Sequence, residues 1–302
     1  MSDIVWLASY PKSGNTWLRM LIGSLSVETD DIDINALPDL SSIASRREWF
    51  DDALLIDSGL LTHDEIDCLR PALYQDMARD RDAAAEQQTH FIKVHDAYTN
   101  TALGEPLLGG VRAAKGAIVI VRDPRDVAPS LANHNGTGIE VAIDFMNDPV
   151  AAFGAPTRRQ SIQLRQKLLS WSGHVASWLD QRDIPVHLVR YEDFKRDTAG
   201  TMLAAMRFAD YRVDEAQVER AVRLASFANL QAAERKTGFA EWQDRQKKRR
   251  FFRRGESGAW RDELTPGQAA RIEAAHAPMM TRLGYALSPD RKVPQAGERA
   301  GQ

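Results

Sequence analysis

The stretch that decides the fold is "WLASYPKSGNTWLRMLIGSL", residues 6–25. Its first apolar run ends at Ser9 and leads into the octapeptide Tyr-Pro-Lys-Ser-Gly-Asn-Thr-Trp. Apolar residues then recur at helical spacing, at Leu18, Leu21, Ile22 and Leu25. A continuous apolar run is typical of a strand buried on both faces, and the later spacing is typical of a helix packed by one side. The stretch therefore predicts a buried strand from Ile4 to Ser9, a tight loop and a helix.

The loop in this stretch predicts an anion site. Asn15 or Thr16 would begin the helix, where free backbone N–H groups and the positive end of the helix dipole attract negative charge. Gly14 lets the backbone approach closely, and Lys12 adds a full charge. The pattern differs from the usual P-loop, G-x-x-x-x-G-K-[ST], in where the lysine stands. A lysine in a tight turn with hydroxyl caps is the purely structural alternative.

Three more apolar runs, at residues 91–94, 117–121 and 186–189, alternate with helical patterns. This alternation predicts an α/β fold in which a P-loop-like parallel sheet is flanked by helices. Apolar positions between residues 164 and 178 predict a helix packed on the sheet. We expect one domain over residues 1–287, with helical and loop insertions, and a disordered tail over residues 288–302.

Composition narrows the function. The 302 residues carry a formal net charge of −3, which argues against a chain-wide affinity for nucleic acid. The single cysteine, Cys68, cannot form an intrachain disulfide. The sequence has no stretch of about 18 uncharged apolar residues, so it predicts no membrane span. Without a secretion signal at its start, the chain is predicted to be cytoplasmic.

Ligands of such sheets bind at the carboxyl ends of the strands, so the residues that follow each strand are candidates. After the third strand, Asp123 and Asp126 are typical of a helix start, and Arg122 would project into the crevice. Ser130 lies two turns further on. It could bind one anion together with Arg122 only if the helix bends over the cleft, and Pro129 favours such a bend. A surface arginine beside a capped helix is the alternative.

The second strand ends in "FIKVH", in which alternation places Lys93 and His95 on one side. A histidine at a strand end near phosphate-binding turns suits a general base. A histidine satisfied by structural contacts is the alternative. The six other histidines share no ligand spacing, so we expect no metal site.

Seven of the ten residues from 245 to 254 are basic. A charge run is usually a solvated face. Here Phe251 and Phe252 lie among the arginines, which suggests a loop that docks through its rings and turns its arginines onto a phosphate. The run could also grip RNA, which the overall acidity disfavours.

Together these segments resemble the cytosolic-type sulfotransferase family, which uses 3′-phosphoadenosine 5′-phosphosulfate (PAPS), and the chain looks like a bacterial member. "YPKSGNTW" looks like the 5′-phosphosulfate loop, "VIVRDPRDVAPS" like the 3′-phosphate strand and helix, and "FIKVH" like the Lys-x-His strand end. "LVRYEDFK" matches the Tyr-Glu-Asp segment, and "FFRRGESGAW" matches the closing motif Arg-Lys-Gly-x-x-Gly-x-Trp. The five segments follow the family's order.

The resemblance implies an enzyme that moves a sulfuryl group from PAPS to a hydroxyl or amine of a small or amphipathic acceptor, without a metal. His95 is the implied general base, and Lys12 and Lys93 are the implied catalytic cations. The implied PAPS contacts are Lys12, Ser13, Gly14, Asn15 and Thr16 at the 5′-phosphate, Trp17, Tyr191 and Phe227 at the adenosine, and Arg122, Ser130, Arg253, Arg254 and Gly255 at the 3′-phosphate. The acceptor is expected between loops that carry Trp49, Phe50, Phe145 and Phe153.

Some features depart from the family pattern. Asn15 stands where threonine is more usual, and Arg254 stands where lysine is more usual. The family's dimer segment after Trp260 is only partly present, so a homodimer is possible but not specified. A P-loop-like nucleotide kinase or hydrolase stays open as an alternative function, as does a non-catalytic nucleotide-binding module.

Overall fold

The computed structural model of the protein describes residues 3–29, 32–36, 43–82, 89–154, 161–242 and 250–288. The predicted tail, apart from Ser288, and residues 245–249 of the basic run lie outside these ranges. In the described part of the chain, no helix is both long and apolar enough to cross a membrane.

The centre of the fold is a parallel sheet of four strands. These are β1 (Ile4–Ser9), β2 (His90–Val94), β3 (Gly116–Val121) and β6 (Val186–Arg190), in the spatial order β2-β1-β3-β6. All four coincide with predicted strands to within one residue at either end. In register, Val5 of β1 lies opposite Phe91 of β2 and Gly116 of β3. The carboxyl ends of all four strands therefore lie at one edge.

Helices cover the sheet on both faces. They are α1 (Asn15–Ser24), α2 (Arg47–Leu54), α3 (His63–Asp82), α4 (Pro124–Asn135), α5 (Ile139–Asn147), α6 (Trp171–Asp180), α7 (Tyr191–Arg196), α8 (Thr198–Phe208), α9 (Glu215–Leu224), α10 (Phe227–Thr237), α11 (Trp260–Glu263) and α12 (Pro266–Arg282). Short 3₁₀ turns lie at Ser58–Leu60 and Gly110–Arg112, and β4 (Ala152–Phe153) pairs with β5 (Gln166–Lys167).

Alternate side chains of β1 enter two separate cores. Trp6 and Ala8 belong to a core with α3, α5, α6 and α12, whereas Val5 and Leu7 belong to a core with α1, α8 and α9. Every residue of β1 is buried, as the continuous apolar run predicts for a strand covered on both sides.

The predicted helix over residues 164–178 is wrong in its first half. Helix α6 begins only at Trp171, where the Ser170 hydroxyl caps it by accepting a bond from the Gly173 N–H at 3.1 Å. The preceding residues are not helical: Gln166 and Lys167 form β5, Leu169 has a left-handed φ of 60°, and the Leu168 N–H donates to the Ala151 carbonyl at 2.9 Å. Leu164 and Leu168 are fully buried in the same core as Trp171. Their spacing therefore reflects burial in a common core and not a helix.

Candidate active site

A cavity of about 870 Å³ lies at the carboxyl ends of β1, β2, β3 and β6. The predicted site residues that line it are Lys12, Gly14, Asn15, Thr16, Trp17, Lys93, His95, Arg122, Ser130, Tyr191, Phe227, Arg253, Arg254 and Gly255. Ser13 is fully buried and lies in the same loop as its neighbours, but it does not line the cavity. Segments far apart in the sequence are thus brought to one place.

The loop between β1 and α1 has a backbone that few residues adopt. Lys12 has a φ of 70° and Gly14 a φ of 108°, both in the left-handed region. A Cβ atom on Gly14 would lie 2.6 Å from the Tyr191 ring, so a larger residue would displace that ring. The N-cap residue of α1 is Gly14, which has no side chain to occupy the first N–H groups of the helix. The hydroxyl of Ser13 is buried and has no hydrogen-bond partner among the described residues.

Asn15 fixes this loop to the first strand. Its Nδ2 donates to the Leu7 carbonyl at 2.8 Å and to the Ser9 hydroxyl at 3.2 Å. Because these bonds occupy the amide donor, a contact of Asn15 with an anion is left to its backbone N–H.

His95 lies just beyond β2 and is held in one tautomer. Its Nδ1 is 2.8 Å from the carbonyl oxygen of Ser9. A carbonyl only accepts, so Nδ1 carries the proton and Nε2 keeps its lone pair. Burial, followed by the charge of Lys93, moves the pKa of His95 well below its ordinary value. The imidazole is therefore neutral and able to accept a proton.

The end of β2 that carries His95 is anchored by its neighbour Asp96. The buried Arg70 guanidinium donates to both Asp96 oxygens, at 3.0 and 2.7 Å, and the Lys167 N–H donates to Asp96 at 2.9 Å. The His174 ring nitrogen Nε2 lies 3.1 Å from the His95 carbonyl. These contacts fix the backbone on which the imidazole is mounted.

Two half-buried lysines, Lys12 and Lys93, line the same cavity as the imidazole. Burial, with the nearby charges of Lys93 and Arg122, lowers the pKa of Lys12 to about 7. Burial also lowers the pKa of Lys93 to about 8. The Lys12 ammonium lies 4.2 Å from the centroid of the Phe251 ring. In its protonated form each lysine is a poorly solvated cation, which an anion in the cavity would stabilise.

Arg122 leaves the end of β3 toward the cavity. One of its NH2 hydrogens is donated to the Glu256 carbonyl at 2.7 Å, and its guanidinium stacks 4.4 Å from the Tyr191 ring centroid. Its Nε is buried and has no hydrogen-bond partner in the described ranges. Helix α4 contains Pro129, and Ser130 lines the same cavity as Arg122.

The segment from Phe251 to Trp260 is held at both ends by carboxylates. Glu234 accepts bonds from the N–H groups of Phe251 and Phe252, at 2.6 and 3.1 Å. Asp126 accepts bonds from the N–H groups of Gly258 and Trp260, at 2.7 and 2.9 Å. We call residues 251–260 the closing segment.

Gly255 is the tightest point of the closing segment. Its φ is 64°, and a Cβ atom there would lie 2.4 Å from the Phe227 ring. The Tyr191 hydroxyl donates to its carbonyl at 3.0 Å. Next to it, Arg253 forms a two-contact ion pair with Glu263, at 2.6 and 2.9 Å, and Arg254 NH1 lies 3.4 Å from the same carboxylate.

An aromatic group lies beside the loop of Lys12. Trp17 packs 4.5 Å from Phe194 between ring centroids, and its indole N–H donates to the Ala225 carbonyl at 3.0 Å. The Lys195 ammonium lies 5.1 Å from the Trp17 ring and 5.8 Å from the Phe227 ring. Lys195 was not predicted to lie near the site, although it belongs to the quoted "LVRYEDFK" segment.

Other cavity residues were also missed by the sequence analysis. Arg19 and His134 line the cavity together with Glu241. Arg19 stands between Leu18 and Met20 in α1 and is only 4% exposed, so a charge within an apolar helix was an available signal. His134 lies four residues after Ser130 on α4, a helical spacing that was also available. Glu241 has no local sequence signal.

The residues expected around the acceptor are only partly at the cavity. Of the four aromatic residues, Phe153 lines it and stacks on Phe145 at 5.5 Å. Phe50 is fully buried in the core, because it lies on the inner face of α2, and this part of the expectation is wrong. Among the described residues, no group of three or more His, Cys, Asp or Glu side chains could hold a metal ion.

The sulfotransferase domain family matches residues 2–284 of the chain, and the protein belongs to this family. The family predicted from the five motifs is therefore confirmed. The luciferin sulfotransferase of Photinus pyralis is 27% identical over 235 residues, which is 76% of this chain and 56% of that protein. The flavonol 3-sulfotransferase of Flaveria bidentis is 26% identical over 89% of this chain and 79% of its own length. The chain thus aligns with little more than half of the first relative and most of the second.

Solved structures share the fold. A mouse sulfotransferase complexed with PAP, which is adenosine 3′,5′-bisphosphate, matches 92% of this chain and 84% of its own with a TM-score of 0.55 and 19% identity. A retinol dehydratase in complex with retinol and PAP matches 97% of this chain and 84% of its own with a TM-score of 0.56 and 18% identity. The predicted α/β class, a parallel sheet flanked by helices, is confirmed.

Proposed function

We propose that this protein is an enzyme that transfers a sulfuryl group from PAPS to a hydroxyl or amine of a small or amphipathic acceptor. One observation carries the proposal: a neutral imidazole with an available Nε2 lines one cavity together with two half-buried lysines and a second group of cations. The named relatives are sulfotransferases, and two structural neighbours were solved with PAP, which is PAPS without its sulfuryl group.

The residues present fit the two phosphate ends of this cosubstrate. At one end, the uncapped start of α1, the loop of residues 12–16 and the Lys12 ammonium would hold the 5′-phosphate. At the other, Arg122 and Ser130 with Arg253, Arg254 and Gly255 would hold the 3′-phosphate. The orphaned polar atoms of Ser13 and Arg122 and the crowded glycines at 14 and 255 are consistent with a close-fitting anion site. ATP has no 3′-phosphate for the second group.

The adenosine would lie between these ends, against Trp17, Phe227 and Tyr191. All three line the cavity, and flat rings favour contact with a flat base. These residue roles rest on the position of each side chain at the cavity and on the motifs that the family shares.

The chemistry follows from the charges around His95. The cosubstrate supplies an activated sulfuryl group. His95 Nε2 accepts the proton of the acceptor hydroxyl, while its Nδ1 stays bound to Ser9. Lys12 and Lys93 neutralise the negative charge of the sulfuryl oxygens and the leaving phosphate. In a transfer of this loose, in-line kind, positioning and fixed positive charge carry most of the catalysis.

A mixed apolar and charged part of the cavity lining suggests an amphipathic acceptor. Ile43, Phe153 and Ile162 line it next to the charged side chains of Arg46 and Glu48. This mixture suits a compound with an apolar body and polar substituents, and a panel of hydroxylated lipids, phenols and sterols is the first set to screen.

Two measurements test the proposed function. Thermal unfolding with adenosine 3′,5′-bisphosphate should show a stabilisation of about 2.7 kcal/mol at 100 times its dissociation constant, whereas ATP at the same concentration should give much less. Transfer of radiolabelled sulfate from PAPS to the acceptor panel then separates an enzyme from a nucleotide-binding module. Stabilisation by ATP alone would point to a kinase or hydrolase instead.

A further inference from the structure

A chain of three charged side chains runs along the cavity wall. Glu241 accepts two bonds from Arg19, from NH1 at 3.0 Å and from NH2 at 2.8 Å. The same carboxylate lies 3.8 Å from the Lys93 ammonium. Arg19 is 4% exposed and Lys93 15% exposed at their side chains, so both cations are largely shielded from solvent, and they share a carboxylate that is itself 31% exposed.

The backbone just before Glu241 is held by hydrogen bonds and ring packing. The Asn35 side chain donates to the Gly238 carbonyl at 3.1 Å and accepts from the Ala240 N–H at 2.7 Å. Phe239 packs against Phe251 of the closing segment, with ring centroids 4.9 Å apart. These contacts restrain the turn that carries Glu241 and so restrain its carboxylate at the cavity wall.

The charges around Lys93 explain why this carboxylate matters. The titratable or charged side chains that face or influence its ammonium are Lys12, Arg19, His95, His134 and Glu241. Burial and Arg19 both lower the pKa of Lys93, and Glu241 raises it. Among the described residues, Glu241 is the acid within ion-pair distance of Nζ.

We propose that Glu241 positions Lys93 for sulfuryl transfer, by holding its ammonium at the cavity wall and offsetting the charge of Arg19. The inference rests on the proposed function, because it assigns Lys93 to the sulfuryl group. Glu241 is a positioning residue and not the base, since both of its oxygens are already bound by Arg19.

The central experiment compares steady-state kinetics of the wild type, Glu241→Gln, Lys93→Met and the double variant. We expect Glu241→Gln to lower kcat roughly 10- to 100-fold, less than the 10²- to 10³-fold loss typical of removing a direct electrostatic contact. The KM for PAPS and the Kd for PAP should stay within about twofold. If Glu241 acts through Lys93, the substitution should have almost no further effect in the Lys93→Met background.

The pH dependence provides a readout that a merely structural role would not move. Loss of Glu241 lets Lys93 lose its proton at lower pH, so the alkaline decline of kcat should move to lower pH in Glu241→Gln. Glu241→Asp keeps the charge and should restore part of the activity. Glu219→Gln, an exposed glutamate on α9, is the matched control and should behave as the wild type.

The outcomes separate this inference from the proposed function. A wild type that transfers no sulfate and does not bind PAP would overturn the proposed function, and the role of Glu241 with it. An active wild type with a normal Glu241→Gln variant, or with additive effects in the double variant, would overturn the role of Glu241 alone. If the unpaired Arg19 prevents Glu241→Gln from folding, Arg19→Gln/Glu241→Gln removes both charges together. A loss of kcat is still expected because the Lys93 ammonium is no longer held, while the alkaline decline of kcat should stay near its wild-type pH because the opposing effects of Arg19 and Glu241 on Lys93 are both gone.

Discussion

At the scale of single residues, the most informative contact is the bond between His95 Nδ1 and the Ser9 carbonyl. It links the ends of β2 and β1 and decides which ring nitrogen keeps its lone pair. Sequence alone placed the histidine at a strand end, but the tautomer depends on a carbonyl 86 residues away in the chain. A local pattern cannot show such a partner.

His95→Ala tests the base directly. We expect sulfate transfer to fall by about 10²- to 10⁴-fold, the usual contribution of a general base, because the variant loses the Nε2 atom proposed to take the proton. Binding of PAP, measured by calorimetry, should be unchanged. His187→Ala, an imidazole on β6 that does not line the cavity, serves as the control. Near-normal turnover of His95→Ala would contradict the assignment.

The two lysines predict a pH dependence of cosubstrate capture. With pKa values of about 7 and about 8, Lys12 and Lys93 lose their protons as the pH rises, and the neutral forms bind an anion less well. The kcat/KM for PAPS should therefore fall between pH 7 and pH 9. His95, whose pKa is lowered well below its usual range, should add no change near neutrality.

Initial rates at low PAPS concentration over this pH range check the prediction. Lys93→Met should make the decline shallower, because one of the two titrating groups is gone. A rate that instead rises through pH 7 to a plateau would show that a base titrates there, and would contradict the neutral state assigned to His95.

At the scale of elements, the site is built from loops that carboxylates tie to the helices. Asp126 in the first turn of α4 holds the far end of the closing segment, whose arginines are proposed for the 3′-phosphate. The sequence identified Asp126 only as a helix-start acid. Its second role is long-range, because it binds Gly258 and Trp260, which lie 132 and 134 positions further along the chain.

Asp126→Ala removes both bonds at once. Hydrogen bonds to a charged group contribute about 1.5–3 kcal/mol each, so we expect the affinity for PAP to fall at least tenfold as the closing segment loosens. Hydrogen exchange of residues 251–260 should speed up in the same variant. Asp193→Ala, which breaks only partly exposed ion pairs on α7, should leave both measurements unchanged. An unaltered PAP affinity in Asp126→Ala would show that these bonds do not hold the segment for the nucleotide.

At the scale of the whole molecule, the sequence predicted the features that repeat locally. The strand, loop and helix of residues 6–25 were predicted because a doubly buried strand such as β1 has no polar side to confuse the pattern. The non-helical residues before Trp171 were misassigned because Leu164 and Leu168 fill the core at a spacing that a helix would also give. Arg19 and Glu241 are 222 residues apart in the sequence. Such a pair can be identified only in the folded structure. Acceptor choice, dimerisation and location in the cytoplasm stay predictions.

The pairing of Glu263 with Arg253 has a consequence for turnover. If Arg253 binds the 3′-phosphate as proposed, a carboxylate that already contacts its guanidinium would compete with that phosphate, weaken the binding of spent nucleotide and speed its exchange for fresh cosubstrate. Glu263→Gln should tighten PAP about two- to fivefold, in keeping with a partly exposed ion pair. Where product release limits the cycle, the same change should lower multiple-turnover rates and leave the first turnover untouched. Asp262→Asn, whose carboxylate lies 3.7 Å from Arg254 and is mostly exposed, should do less. Weaker PAP binding in Glu263→Gln would mean that the acid aligns Arg253 instead, and product inhibition would then ease and not deepen.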